Sequence, residues 1–175
     1  MTVPGSAGAL TGGSCDMFLM VKGSRAGVIK GESQDGTHAG EIEIVSWTWG
    51  MQARPTLGGG VATGKATVRE LQVVKRIDTA STALMASLRN NELITKAVLT
   101  QRKSGKSPLD FLKITIEQGR VTSLVLEGGE GENGPEVVER VSFSFNKIDV
   151  EYKPQTKDGS LGGGCLYSDD FGAGA

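Results

Sequence analysis

VVERVSFSFNKIDVEYKP, residues 137–154, alternates apolar and polar positions and changes phase in the middle. Val141, Phe143 and Phe145 fall on odd numbers, whereas Ile148, Val150 and Tyr152 fall on even ones. Successive strand side chains point to opposite faces, so the apolar face flips at Asn146-Lys147. A bulge or sharp coil at that point lets one strand serve two sheets or turn a barrel corner. EIEIVSWTWG, residues 41–50, carries the same signature. Glu41, Glu43, Val45, Trp47 and Trp49 share one face, and Ile42, Ile44, Ser46 and Thr48 share the other. Its polarity changes sides midway, as in a strand that leaves one environment and enters another.

Working outward from these two segments, DMFLMVKG (residues 16–23), KATVRELQVVKRI (65–77), ITKAVLTQRK (94–103), LDFLKITIEQ (109–118) and VTSLVLEGG (121–129) read as further strands. Their β-branched content and glycine punctuation carry the assignment. The turn at 104–108 makes a hairpin of 94–103 and 109–118. DTASTALMASLRNNE, residues 78–92, offers Asp78, Thr79 or Ser81 as N-cap, Leu84, Met85 and Leu88 as an apolar stripe and Asn90-Asn91 as a stop. It is the one credible helix. The expected class is mainly β: an antiparallel β-barrel or sandwich with one α-helix.

The chain has 175 residues, with 19 Lys and Arg against 20 Asp and Glu, interleaved in sign. That balance gives no electrostatic footprint for nucleic acid. No run of about 18 apolar residues is present, so no membrane insertion is expected. The first fifteen residues lack the basic and apolar regions of a signal peptide, which points to a cytoplasmic protein that leaves the cell only if dedicated machinery carries it. Cys15 and Cys165 lie far apart in glycine-rich termini without metal-ligand spacing, and whether they pair stays open. Glycine accounts for 26 residues and clusters between the ordered segments.

One glycine cluster imitates a known motif. GGGVATGKAT, residues 58–67, fits G-x-x-x-x-G-K from Gly59 onward. A phosphate-binding loop needs a hydroxyl after the lysine and a helix whose N-terminus faces the phosphates. Ala66 occupies the hydroxyl position and a strand follows, so the segment reads as a glycine-rich connection. His38, the only histidine, stands in the polar loop QDGTHAGE and reads as a surface residue; Glu32, Asp35, Glu41 and Glu43 beside it read as solvated acids. The acidic GGEGENGPE stretch reads as a flexible surface connection. No catalytic, metal-binding or cofactor-binding residue is assigned, and the chain is read as non-enzymatic. Trp47 and Trp49 read as anchors for a core or a subunit interface. A monomeric β-barrel binding module using Trp47 and Trp49 on a small ligand is the alternative.

The segments DMFLMVKG, IKGESQDGTHAGEIEIVSWTWGM, KRIDTASTALM, LDFLKITIE and VERVSFSFNKIDVEYKPQTKDGS, with GGG and TGK between the second and third, occur in that order. Together they resemble the haemolysin-coregulated protein (Hcp) family, the tube-forming proteins of bacterial type VI secretion, from about residue 16 to 164. The resemblance implies a tail-tube-like barrel domain over 16–164, flanked by a tail at 1–15 and another at 165–175. It also implies hexameric rings that stack into a tube, partners in the type VI sheath and VgrG-type spike proteins, and small effector proteins carried in the lumen. The product is then secreted by the type VI system without a signal peptide. Ser46 and Thr48 are implied to face the lumen. Trp47, Trp49, Met51, Gly58, Gly59 and Gly60 are implied to serve ring assembly, the glycines through an arm that reaches a neighbouring subunit or ring. The tail at 1–15, the SRAG turn at 24–27 and the shorter glycine runs of 51–64 depart from the family pattern.

Overall fold

The computed structural model describes residues 16–53, 66–103 and 108–172. In chain order the elements are β1 (Met17–Gly23), β2 (Gly27–Ile29), β3 (Ile42–Glu43), β4 (Ser46–Thr48), β5 (Met51–Gln52), β6 (Thr67–Val68) and β7 (Leu71–Arg76). Then come α1 (Ser81–Arg89), β8 (Ile94–Lys103), β9 (Leu109–Gly131), β10 (Gly134–Ser144), β11 (Lys147–Tyr152) and β12 (Cys165–Asp170). Ten strands join in one antiparallel ladder system, with β5 and β6 paired separately. The system has two parts. A first sheet runs β2-β1-β8-β9-β11-β12, with β3 beside β2 on the outer side of β1. A second runs β9-β10-β7-β4.

Both phase changes in the sequence mark places where the chain crosses between these sheets. β10 pairs with β9 and β7, the ladder stops after Ser144, and β11 resumes at Lys147 against β9 and β12. Likewise β3 pairs with β1 and β4 with β7; between them the Ile44 N–H donates to the Met17 carbonyl (2.9 Å) and the Val45 N–H to the Val74 carbonyl (2.8 Å). β9 makes a third crossing. Residues 112–117 face β11, whereas from Arg120 onward the partner is β10. Gln118, at φ +53°, supplies the bend, so the strands expected at 109–118 and 121–129 form one bent 23-residue strand.

Gly119 allows the first and third crossings to meet. A Cβ there would fall 2.1 Å from the Ser144 carbonyl oxygen, so the residue must be glycine for the two strands to touch. The ladders remain an open path, with the segment 42–48 spanning from β1 to β7 as a corner.

Alternation then determines the core. Leu19 and Val21 of β1, Leu71 and Val73 of β7, Ala97 and Leu99 of β8, Ile114 and Ile116 of β9 and Val141 and Phe143 of β10 are buried between the sheets. Each such Val, Leu, Ile or Phe contributes about 1.5–3 kcal/mol by leaving water.

The helix covers one side with Ser81, Leu84 and Ser87 inward. Ala80, just before the helix, makes no side-chain cap bond, and the cap is Asp78, one of the three expected. Its carboxylate accepts from the Ala80 N–H (3.0 Å) and the Ser81 hydroxyl accepts from the Asp78 N–H (3.0 Å), a reciprocal capping box. The stop falls where expected. Asn91 adopts φ +51°, its N–H bonds the Leu88 carbonyl, and the Glu92 N–H bonds the Ser87 carbonyl, which together make a Schellman motif.

Three expectations are corrected. The acidic 128–136 stretch is a tight hairpin rather than a flexible connection, because β9 and β10 stay paired from Gly131 and Gly134 outward. Residues 165–170 of the expected C-terminal tail form β12. His38 is buried, 7% exposed, and is described below.

Candidate functional site

The second sheet has one face on the core and one face outward. Trp47, Val73, Val141 and Leu124 align in register and pack inward. The intervening residues therefore align outward: Thr48, Gln72, Ser142 and Ser123 form one row, and Ser46, Val74, Arg140 and Val125 the next. Ser46 and Thr48 are exposed, as a pair of small hydroxyls on this face should be. Gln72 donates to the Ser142 hydroxyl across the row (3.5 Å). The sequence reading found two members of this surface and missed Gln72, Ser142 and Ser123. Only cross-strand register brings the five together, and register between distant strands is not written in any one segment.

Trp47 and Trp49 lie on the inner side. Both pack partly buried against the core, and the Trp47 indole N–H donates to the Gln101 side chain (3.0 Å). The Trp49 Nε1 is buried without a hydrogen-bond partner. Met51 is 48% exposed at the base of the β5–β6 ladder, and the Tyr167 hydroxyl of β12 reaches its sulfur at 3.7 Å. Asp169, accepting from the same hydroxyl (2.9 Å), pushes the Tyr167 phenol up. Gly58, Gly59 and Gly60 lie outside the described residues.

The first sheet ends on β2 at one edge and β12 at the other. All six residues of β12 are exposed, Leu166 at 69%. Val28 of β2 is 52% exposed, and Arg25 and Lys30 flank that strand. Opposed to these basic residues in character, Asp169 and Asp170 close β12.

Three charged clusters hold the scaffold. Lys75 and Glu139, both fully buried, are in direct contact, and Lys75 also reaches Asp78 (2.8 Å) and the Ser81 hydroxyl (3.0 Å). Glu92 accepts from the Ala26 and Arg25 N–H groups (2.8 and 2.7 Å) and the Ser87 hydroxyl (3.1 Å), which hold its carboxyl below its ordinary value. It thereby ties the SRAG turn to the helix end.

The third cluster overturns the solvated reading of Asp35 and Glu41, while Glu32 and Glu43 are exposed as expected. Arg102 of β8 grips Asp35 with two nitrogens and holds its carboxyl well below the usual range. His38 stacks on Phe18 with ring centroids 4.4 Å apart, Nδ1 3.0 Å from Glu41 and Nε2 3.2 Å from Asp110. A polar loop sequence gave no sign of this, because its partners come from β1, β8 and β9. Among the described residues, no three His, Cys, Asp or Glu side chains are grouped to hold a metal ion, and no helix is long and apolar enough to cross a membrane.

Comparison with known proteins follows this geometry. A family model described as "Type VI secretion system effector, Hcp" matches residues 18–152. "Protein hcp1" of Pseudomonas aeruginosa is 36% identical over 152 residues, covering 85% of this chain and 90% of that protein. Among solved structures, Hcp1 from Salmonella typhimurium superposes with TM-score 0.70 at 28% identity, covering 90% of this chain and 96% of the other. A type VI secretion system effector from Yersinia pestis does so with TM-score 0.68 at 26% identity, covering 89% and 99%. The chain belongs to the Hcp family of type VI secretion proteins.

Proposed function

We propose that this protein is the subunit of a type VI inner tube, six copies closing into a ring, rings stacking, and the whole leaving the cell with a VgrG-type spike inside the sheath. The observation that carries this reading is that the first sheet ends on two different open edges, β2 and β12. Identical subunits that pair unlike patches head to tail generate a closed ring when the rotation permits. An edge strand left unpaired also invites another strand. The two edges complement one another: Val28 meets Leu166 and Tyr167 in apolar character, and Arg25 and Lys30 meet Asp169 and Asp170 in charge.

In this reading the hydroxyl face carrying Ser46 and Thr48 lines the lumen and touches small effectors. The arm that begins at Met51 and includes Gly58, Gly59 and Gly60 makes contacts between neighbours or rings. Trp47 and Trp49 support assembly from within, by fixing β4 on the core. No catalytic role is assigned. The alternative of a monomeric module that binds a ligand through Trp47 and Trp49 gains nothing from side chains already packed in the core.

Native mass spectrometry of the purified chain tests the proposal. Six-membered rings are expected, and a monodisperse monomer at micromolar concentration overturns it.

A further inference from the structure

The two ends of β9 carry opposite charge. Where β8 stops and β9 starts, the outward face of the first sheet holds a cleft of about 300 Å³ with Leu109, Phe111 and Leu161 as its apolar lining. Lys113 and Lys153 line it too, and Lys103 reaches over the Phe111 ring, its Nζ 5.5 Å from the centroid. Two carboxylates stand among these three lysines: Asp110, 3.2 Å from the His38 Nε2, and Glu151, 3.3 Å from Lys153. Lys113 forms no ion pair among the described residues. The cleft is therefore cationic.

At the far end of the strand, the β9–β10 hairpin projects beyond β7, whose ladder ends with Arg76 opposite Val138. Four carboxylates there meet two cations: Arg140 lies 3.6 Å from Glu127, and Arg76 contacts Glu136. Glu130 and Glu132 are exposed and form no ion pair among the described residues. Gly131 pairs with Gly134, so the turn itself is Glu132-Asn133, and glycine at 128, 129, 131 and 134 leaves the tip little thicker than its two backbones.

We propose that the hairpin tip bearing Glu130 and Glu132 docks into the lysine-rimmed cleft of a second copy, and that this contact joins one ring to the next. Tip and cleft lie at opposite ends of one 23-residue strand. Identical copies that join unlike patches in this way repeat head to tail, which is the geometry of a stack. The cleft is at the small end of binding pockets, the size for a narrow turn and not for a broad surface. Exposed ion pairs alone hold copies weakly. Here the apolar lining receives Pro135 and the stems of the two glutamates, while the charges select the partner and its orientation. That the joined bodies are rings rests on the function proposed above; the contact itself does not.

Cross-linking of the full-length chain tests it. Unlabelled and ¹⁵N-labelled protein are mixed at about 1 M salt, where exposed charges are screened, and returned to low salt. A carbodiimide then couples amines to carboxylates that touch. Peptide mass spectrometry is expected to find Glu130 or Glu132 joined to Lys103, Lys113 or Lys153 in bridges of mixed label. No such bridge, or bridges confined to one label, overturns the contact. Separately, Glu130→Lys with Glu132→Lys should weaken end-to-end association in sedimentation velocity at least about tenfold, and so should Lys113→Glu with Lys153→Glu. None of these four side chains is buried. Mixing the two reversed proteins should restore association, because each tip then meets a cleft of opposite sign. Association unchanged in both, or not restored by mixing, also overturns the contact. Native mass spectrometry of the same samples counts copies per ring: six-membered rings without the bridge remove this contact alone, and the bridge without six-membered rings removes the ring alone.

Discussion

Lys75 and Glu139 stand directly opposite one another on β7 and β10, both fully buried and in contact through their charged groups. Charges out of water are tolerated only when they are paired, and removing Glu139 leaves Lys75 with Asp78 and the Ser81 hydroxyl alone. Glu139→Ala should destabilise the fold by up to about 3–5 kcal/mol, the cost of a wholly uncompensated buried charge. The joint replacement of Lys75→Met, Glu139→Leu and Asp78→Asn, which leaves no charge of the cluster behind, should recover most of that loss. Urea unfolding of the parent and the two variants checks it, and a joint variant as unstable as the single one contradicts the desolvation argument.

Gly119 is the second place where one atom matters. Gly119→Ala puts a methyl group into the Ser144 carbonyl, and the two crossing strands must separate to admit it. A cost of about 1–3 kcal/mol is expected, as for overpacking elsewhere. Gly129→Ala, where a Cβ meets open space, is the control and should change stability far less. Thermal melts of the pair give the comparison.

Acid should weaken the protein through Asp35 and Glu92. Arg102 lowers the first carboxyl and the Ala26 N–H, with Arg25 and Ser87, the second. A carboxyl lowered by folding stabilises the native state above its unfolded value, near 4, and loses that contribution as pH falls through the lowered value. Stability measured downward from pH 6 should therefore decline below about pH 4. Glu92→Gln should make the decline shallower, and an unchanged slope would show that Glu92 takes no part.

The proposed edges predict an assembly phenotype separate from folding. Leu166→Lys and Val28→Lys alter exposed side chains, so each should leave protomer stability within about 0.5 kcal/mol. Val28→Lys should reduce ring formation measured by native mass spectrometry, and Leu166→Lys should do so from the other side of the same contact. Rings formed by both variants as readily as by the parent would remove β2 and β12 from the interface.

How much of this was legible in the sequence depended on whether the signal was local. The phase changes midway along 41–50 and at 146–147 were visible because each is a property of one segment, and both proved to be sheet crossings. The bend at 118–119 was visible only as a break, since nothing local says that a strand continues past a residue at positive φ. The helix stop at Asn90-Asn91 was local and correct. Its start was legible too, since Asp78 was among the expected caps, but that Asp78 and Ser81 also serve a buried lysine was not. His38, Asp35 and Glu41 were misread because their partners Arg102, Phe18 and Asp110 are tens of residues away. Ser46 and Thr48 were found on their own strand, but the face they belong to required the pairing of four.

The three crossings have a mechanical consequence. Hydrogen-bonded ladders between separate strands can peel one bond at a time, whereas a chain that passes from one sheet into the other must stretch along its covalent backbone. In this fold 42–48, β9 and 134–152 each pass between the sheets, so a force that pulls the sheets apart is shared by three continuous tethers. A protomer built this way yields under load by fraying at the exposed hairpin and at β12 before its two sheets part.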